Sequence, residues 1–283
     1  MFQRILVPVD GSELAEQVLA VAERLRARGA VLHLARVNPA PANPPTPYDE
    51  TLQLEAESYL DFLVSRLKDR GVAAQWETRT GEIAAEIVSA ASQHSCDLIA
   101  ISSHGRSGVA RLVYGSVAER VLQAAAIPTL FVRALGPSGP RPPKVESVLV
   151  PLDGTPVSEG ALEPAVALAR DHGASLQLLY VVESLWAAGD SKLARDQFKE
   201  VRHVADRLHE LANRLRGDQV PTRALVVRGD PSTDVLSHAA RYGCDLIVLT
   251  PTGAGARPAA FGHVSEKILR SAPMPVLVVR GRK

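Results

Sequence analysis

The chain has 283 residues, with 32 lysines and arginines against 31 acids and a formal net charge of +1. Nucleic-acid and anionic-membrane partners need a basic surplus concentrated on one face, so this balance argues against both. A hydrophobic content of 46% with 22% charged residues is ordinary for a soluble globular protein, and the length fits about two domains.

Residues 2–9 form a short β-rich apolar run, as expected of a strand buried on both faces. Ser12 can cap the next segment, where Ala15, Val18, Leu19, Ala22 and Leu25 recur at helical spacing. Gly29 is expected to end that helix, with 30–37 returning to strand. After a loop carrying Pro39, Pro41, Pro44, Pro45 and Pro47, a second helix shows Leu52, Ala56, Tyr59, Leu63 and Leu67 on one face and stops at Gly71. Strand 72–78, helix 82–94, strand 97–102, helix 116–125 and strand 128–133 follow. Such alternation predicts a mostly parallel sheet with helices on both faces.

The pattern then starts again. Ile5-Leu6-Val7-Pro8-Val9-Asp10-Gly11-Ser12 returns 143 positions on, as Val148-Leu149-Val150-Pro151-Leu152-Asp153-Gly154-Thr155. Cys96-Asp97-Leu98-Ile99 returns as Cys244-Asp245-Leu246-Ile247, and Gly81-Glu82 as Gly229-Asp230. Several anchors in one order predict two copies of one domain, at 1–135 and 146–283, joined by a Pro/Gly-rich linker at 136–145. Strands are expected from 147 and at 175–182, 222–227, 245–250 and 275–280, with helices from 157, at 192–216, at 232–242 and from 264. The two cysteines fall at equivalent places in separate copies and read as small buried residues. No run approaches the roughly 18 apolar residues of a membrane span. The N-terminus lacks the regions of a signal peptide, so the expected location is cytoplasmic.

In open sheets of this kind, ligands bind beyond the carboxyl ends of the strands, where the winding reverses. That rule points to Pro8-Val9-Asp10, Val37 and the loop from Ser102. This loop runs through Ser103-His104-Gly105-Arg106 and closes with Gly115-Ser116-Val117 at the expected start of the fourth helix. Free amide groups and the helix dipole suit phosphate there, with Arg106 and Arg111 supplying charge. The same residues also read as turn glycines followed by an N-cap.

Val7-Pro8-Val9-Asp10-Gly11-Ser12, the Ser103-His104-Gly105-Arg106 turn and Gly115-Ser116-Val117 resemble the universal stress protein family. The likeness covers nearly the whole chain twice, implying a tandem-type member. It implies two Rossmann-like domains, each an open five-stranded, mainly parallel sheet of order 3-2-1-4-5. ATP-binding members carry Gly-x2-Gly-x9-Gly-Ser/Thr after the fourth strand. Gly105, nine further residues and Gly115-Ser116 fit that pattern, while Ser102 stands at the first glycine position. By resemblance, Pro8, Val9 and Asp10 lie along the nucleoside, the Val37 backbone meets the adenine edge, and Ser102, Gly105, Arg106, Gly115, Ser116 and Val117 line ribose and phosphates. Asp10 would orient the ribose or a phosphate-bound Mg²⁺; its other reading is a helix cap. The second site would use Pro151, Leu152, Asp153, Val181, Gly253 and Gly262. There Thr250-Pro251-Thr252-Gly253 replaces the Ser102–Gly105 stretch, the loop is one residue shorter, and His263 stands for Ser116. ATP is therefore expected mainly in the first copy.

No phosphate-loop lysine motif, Gly-x-Ser-x-Gly or metal-spaced His/Cys cluster occurs. His203 and His209 point roughly 120° apart on a helix and make no ligand pair. The expected role is an ATP-binding stress-response regulator; the alternatives are a nucleotide-independent interaction module or a slow ATPase. The fifth strands are expected at sheet edges, where a single chain would mimic the family's dimer and pair again as a homodimer, with a protein partner unidentified.

Overall fold

The computed structural model describes residues 2–40, 46–102, 115–133, 144–183, 191–251 and 262–280. The chain divides into two compact units, Met1–Pro143 and Lys144–Lys283. Residues 136–143 of the expected linker lie outside the described set.

In the first unit, β1 (Phe2–Pro8), β2 (Arg26–Asn38), β3 (Ala73–Thr80), β4 (Leu98–Ser102) and β5 (Thr129–Val132) alternate with α1 (Glu13–Leu25), α2 (Pro47–Asp69), α3 (Ile83–Gln93) and α4 (Ser116–Ala124). All strand pairings are parallel, and they run β3-β2-β1-β4-β5. Ile5, Leu6 and Val7 are fully buried because helices cover both faces of the sheet. On β2, His33 stacks against His94 at the end of α3, whereas Arg36 lies over Tyr59 of α2. Residues three apart on a strand point to opposite faces, so α2 and α3 cover opposite sides.

The second unit repeats the plan. Strands β6 (Ser147–Leu152), β7 (Ser175–Glu183), β8 (Thr222–Gly229), β9 (Leu246–Leu249) and β10 (Val276–Val278) pair in parallel as β8-β7-β6-β9-β10. Its helices are α5 (Leu162–His172), α6 (Ser191–Gly217), α7 (Pro231–Arg241) and α8 (His263–Ser271).

Two expected boundaries need correction. Helix α1 ends at Leu25 rather than at Gly29, because Arg26 already pairs with Phe2 of β1. Five steps of β2 (Arg26 to Val31) then oppose two of β1 (Phe2 to Arg4), and Gly29 absorbs this slip with a φ of 81°. In the second unit, a 3₁₀ turn (Ser158–Ala161) precedes α5 where an α-helix from Val157 was expected. Pro164 has no N–H to reach back to the carbonyl of Gly160, which removes the bond that would continue the helix backward.

The repeated Cys-Asp anchor now has a physical reason. Asp97 accepts hydrogen bonds from the amides of Gln3 (2.7 Å) and Arg4 (3.0 Å), at the start of β1. Asp245 does the same for Glu146 (2.8 Å) and Ser147 (2.9 Å) at the start of β6. Cys96 and Cys244 are buried, and burial pushes both thiols up, Cys96 to about 11. Replacing Asp97 by Ala leaves two strand amides without their carboxylate. Asp97→Ala is expected to cost about 1–3 kcal/mol, measured by urea denaturation.

Candidate functional site

At the carboxyl end of β1 the chain turns through Gly11, whose φ is 90°. Asp10 Oδ1 accepts from the Ser12 amide (3.0 Å) and the Ser12 hydroxyl (2.7 Å), and Ser12 Oγ in turn accepts from the Ala15 amide (3.1 Å). Ser12 is therefore the N-cap of α1, and Asp10 braces it from outside the helix. Asp153 repeats this with Thr155, at 2.9 Å to the amide and 2.6 Å to the hydroxyl.

The neighbouring strand ends converge on this turn. The Val9 amide donates to the Ala35 carbonyl (2.9 Å), which sets Val37 of β2 beside the β1 exit. On the other side, Ser102 ends β4 and its hydroxyl donates to the Leu14 carbonyl (2.9 Å). A glycine there would lack that tie, so serine at the first glycine position serves to anchor β4 to the first turn of α1. Pro8, Val9, Asp10, Val37 and Ser102 are thus gathered at the ends of three adjacent strands, as are Pro151, Leu152, Asp153 and Val181 at the ends of β6 and β7. Gly105 and Arg106, and Gly253 of the second copy, lie outside the described residues.

Helix α4 begins at Ser116 with Gly115 as N-cap and no side-chain cap bond, and Val117 follows within its first turn. The helices before it are capped by side chains: Ser12 for α1, Thr46 for α2 and Glu82 for α3. Helix α8 likewise starts after Gly262 without a side-chain cap, and places His263 where α4 has Ser116. Glu82 takes the amides of Ala84 (3.2 Å) and Ala85 (2.9 Å) and pairs with Arg120 of α4 (2.8 Å). Asp230, the matching cap of α7, pairs with Lys267 of α8 (3.3 Å). Both acids were repeated anchors in the sequence, yet their bridging of two helices required the fold.

One cluster was not anticipated. The Tyr59 hydroxyl donates to Glu16 Oε1 (3.0 Å), and the guanidinium of buried Arg36 lies 5.6 Å from the Tyr59 ring centre. Burial, then the charge and hydrogen bond of Glu16 and the charge of Asp10, push the Tyr59 phenol well above its ordinary value, while Arg36 opposes them. The available signal was an arginine inside the largely apolar run 30–37. Among the described residues no group of His, Cys, Asp and Glu is placed to hold a metal ion.

The universal stress protein family model matches residues 1–133 and again 144–280. The chain belongs to the universal stress protein family. A universal stress protein of Mycolicibacterium smegmatis is 29% identical, covering 98% of this chain and 97% of its own. One from Methanocaldococcus jannaschii is 30% identical over 141 residues, covering 47% of this chain and 83% of its own. The crystal structure of a universal stress protein from Archaeoglobus fulgidus superposes with a TM-score of 0.74 at 21% identity, covering 98% and 96% of the two chains. At that identity the superposition establishes the shared fold.

The duplicated caps carry a pH signature. Bonds from the Thr233 hydroxyl, the Ser232 hydroxyl and the Thr233 amide hold Asp230 below its ordinary 3.8. A lowered carboxylate contributes stability above that ordinary value and loses it as pH falls through the folded value. Acid titration followed by circular dichroism should therefore show less loss of stability below the ordinary value for Asp230→Asn than for the parent.

Proposed function

We propose that this tandem universal stress protein binds ATP, mainly in its first unit, and acts as a stress-response regulator. The observation that carries this reading is the start of α4, where Gly115 and Ser116 present a helix N-terminus without a side-chain cap. An anion there meets the orphan amides and the positive end of the helix dipole, worth about 0.3–1 kcal/mol for an exposed charge. The spacing from Gly105 to Gly115-Ser116, drawn from the family resemblance, supports the same placement. In this reading Pro8, Val9 and Asp10 run along the nucleoside, and the Val37 backbone meets the adenine. Ser102, Gly105, Arg106, Ser116 and Val117 surround ribose and phosphates. Asp10 orients the ribose or a Mg²⁺ carried by the phosphates, the ion supplying charge neutralisation.

The second unit keeps Pro151, Leu152, Asp153, Val181, Gly253 and Gly262 but has the shorter loop and His263, so it binds ATP more weakly. Its domain spans 146–283, after the first at 1–135 and the linker at 136–145. A cytoplasmic location and dimer formation belong to the same reading; no described helix is long and apolar enough to cross a membrane. Bound ATP would stabilise the folded unit by mass action, by about 2.7 kcal/mol at a hundred times its dissociation constant. A nucleotide-independent interaction module is the second reading, favoured by Tyr48, Leu54 and Phe62 of α2, which are 69%, 64% and 57% exposed.

Calorimetric titration of the full chain with Mg-ATP is expected to give one dominant site, abolished or weakened about tenfold by Gly115→Ala and little changed by Gly262→Ala. Equal losses from both variants would contradict the asymmetry, and no uptake of ATP by the parent would favour the interaction module.

A further inference from the structure

The two units differ by a reciprocal exchange of side chains beside their conserved aspartates. Val7 pairs with Leu34 and Val150 with Leu178, so Arg36 of β2 corresponds to Tyr180 of β7. The amides of Val72 and Val220 close on the carbonyls of Leu67 and Leu215, so Tyr59 of α2, eight residues before Leu67, corresponds to Arg207 of α6. The cation and the ring have traded places between strand and helix. The acid has not moved: Glu16 accepts from Tyr59 (3.0 Å), and Glu159 pairs with Arg207 (2.6 Å).

The consequences for charge are opposite. In the first unit the cation sits on the strand, 5% exposed, with the Tyr59 ring over it. Pro8 pairs with Ala35, so Arg36 stands opposite Val9, one residue before Asp10, and the charges of Asp10 and Arg36 both act on the Tyr59 hydroxyl. A buried cation is poorly screened by solvent and acts strongly on charges near it. In the second unit, uncharged Tyr180 takes that place, and the Arg207 side chain stands 52% exposed on α6. The space between is a cavity of about 60 Å³ lined by Leu152, Gly154, Tyr180, Val204, Arg207 and Leu208, among others. The strand position opposite Leu152, which matches that of Arg36, therefore carries an uncharged ring.

We propose that Arg36, held by Tyr59 and Glu16, is a positioning residue that offsets the charge of Asp10 and so gives the first unit its preference for an anionic nucleotide over the uncharged nucleoside. Tyr180 at the matching position denies the second unit that preference. The inference rests on the nucleotide reading of the first unit and adds a determinant on the α2 side of the sheet.

The test compares Mg-ATP with adenosine, because a residue needed merely for packing would affect both alike. In calorimetric titrations of the full chain, Arg36→Met is expected to weaken Mg-ATP about tenfold and adenosine less than about twofold, with Arg36→Lys recovering most of the loss. Should Arg36→Met fail to fold, the double exchange Arg36→Tyr with Tyr59→Arg imports the pair that the second unit already uses, and the same selective loss is expected. Unchanged Mg-ATP affinity, or equal losses for both ligands, overturns the role of Arg36 while leaving ATP binding intact. A parent chain that takes up neither ligand overturns the nucleotide reading and this role together.

Discussion

Strand β1 is hydrogen-bonded along both edges, to β2 and to β4, and the rest of the first unit depends on that double pairing. Parallel neighbours deliver their carboxyl ends to one side of the sheet. Three strand ends distant in sequence are thereby brought to one side of the sheet. Where β1 is paired on both sides, at Ile5 and Leu6, its backbone groups find their partners within the sheet. At its start the Asp97 carboxylate takes two amides. At its end the Asp10 carboxylate takes the Ser12 amide and the Ser12 hydroxyl takes the Ala15 amide as the chain enters α1.

Duplication separates the demands of folding from those of binding. What both units keep is largely concerned with backbone satisfaction: Asp97 and Asp245 at strand starts, Asp10 and Asp153 at the first turn, Glu82 and Asp230 at the helix caps. A strand start, a tight turn or a helix N-terminus leaves the same amides without backbone partners in either copy, so both copies answer with the same carboxylates. The units differ at Ser116 against His263 and at Arg36 against Tyr180. In the proposed nucleotide reading those side chains set which charge each unit favours, a property the fold itself leaves open.

Helix termini show how far local chemistry reaches. Ser12 was readable as a cap because its hydroxyl acts within three residues, and Ala15 does donate to it. Gly29 was misread as a helix stop, because a glycine with positive φ serves equally well at a strand irregularity. Only pairing with Phe2, far off in sequence, distinguishes the two. The 3₁₀ turn before α5 was likewise hidden, though its cause, Pro164, is in plain view.

The sequence by itself determined the two copies, the alternation of strands and helices, and the strand ends at Asp10, Val37 and Ser102. Each follows from periodicity, repetition or the rule that open sheets bind ligands at their carboxyl ends. The tertiary structure decided what those residues do. Ser102 anchors Leu14, Glu82 and Arg120 join two helices, and Arg36, Tyr59 and Glu16 meet although they come from three separate elements. Such contacts depend on which faces of strand and helix are brought together, and a chain read one residue after another does not contain that juxtaposition.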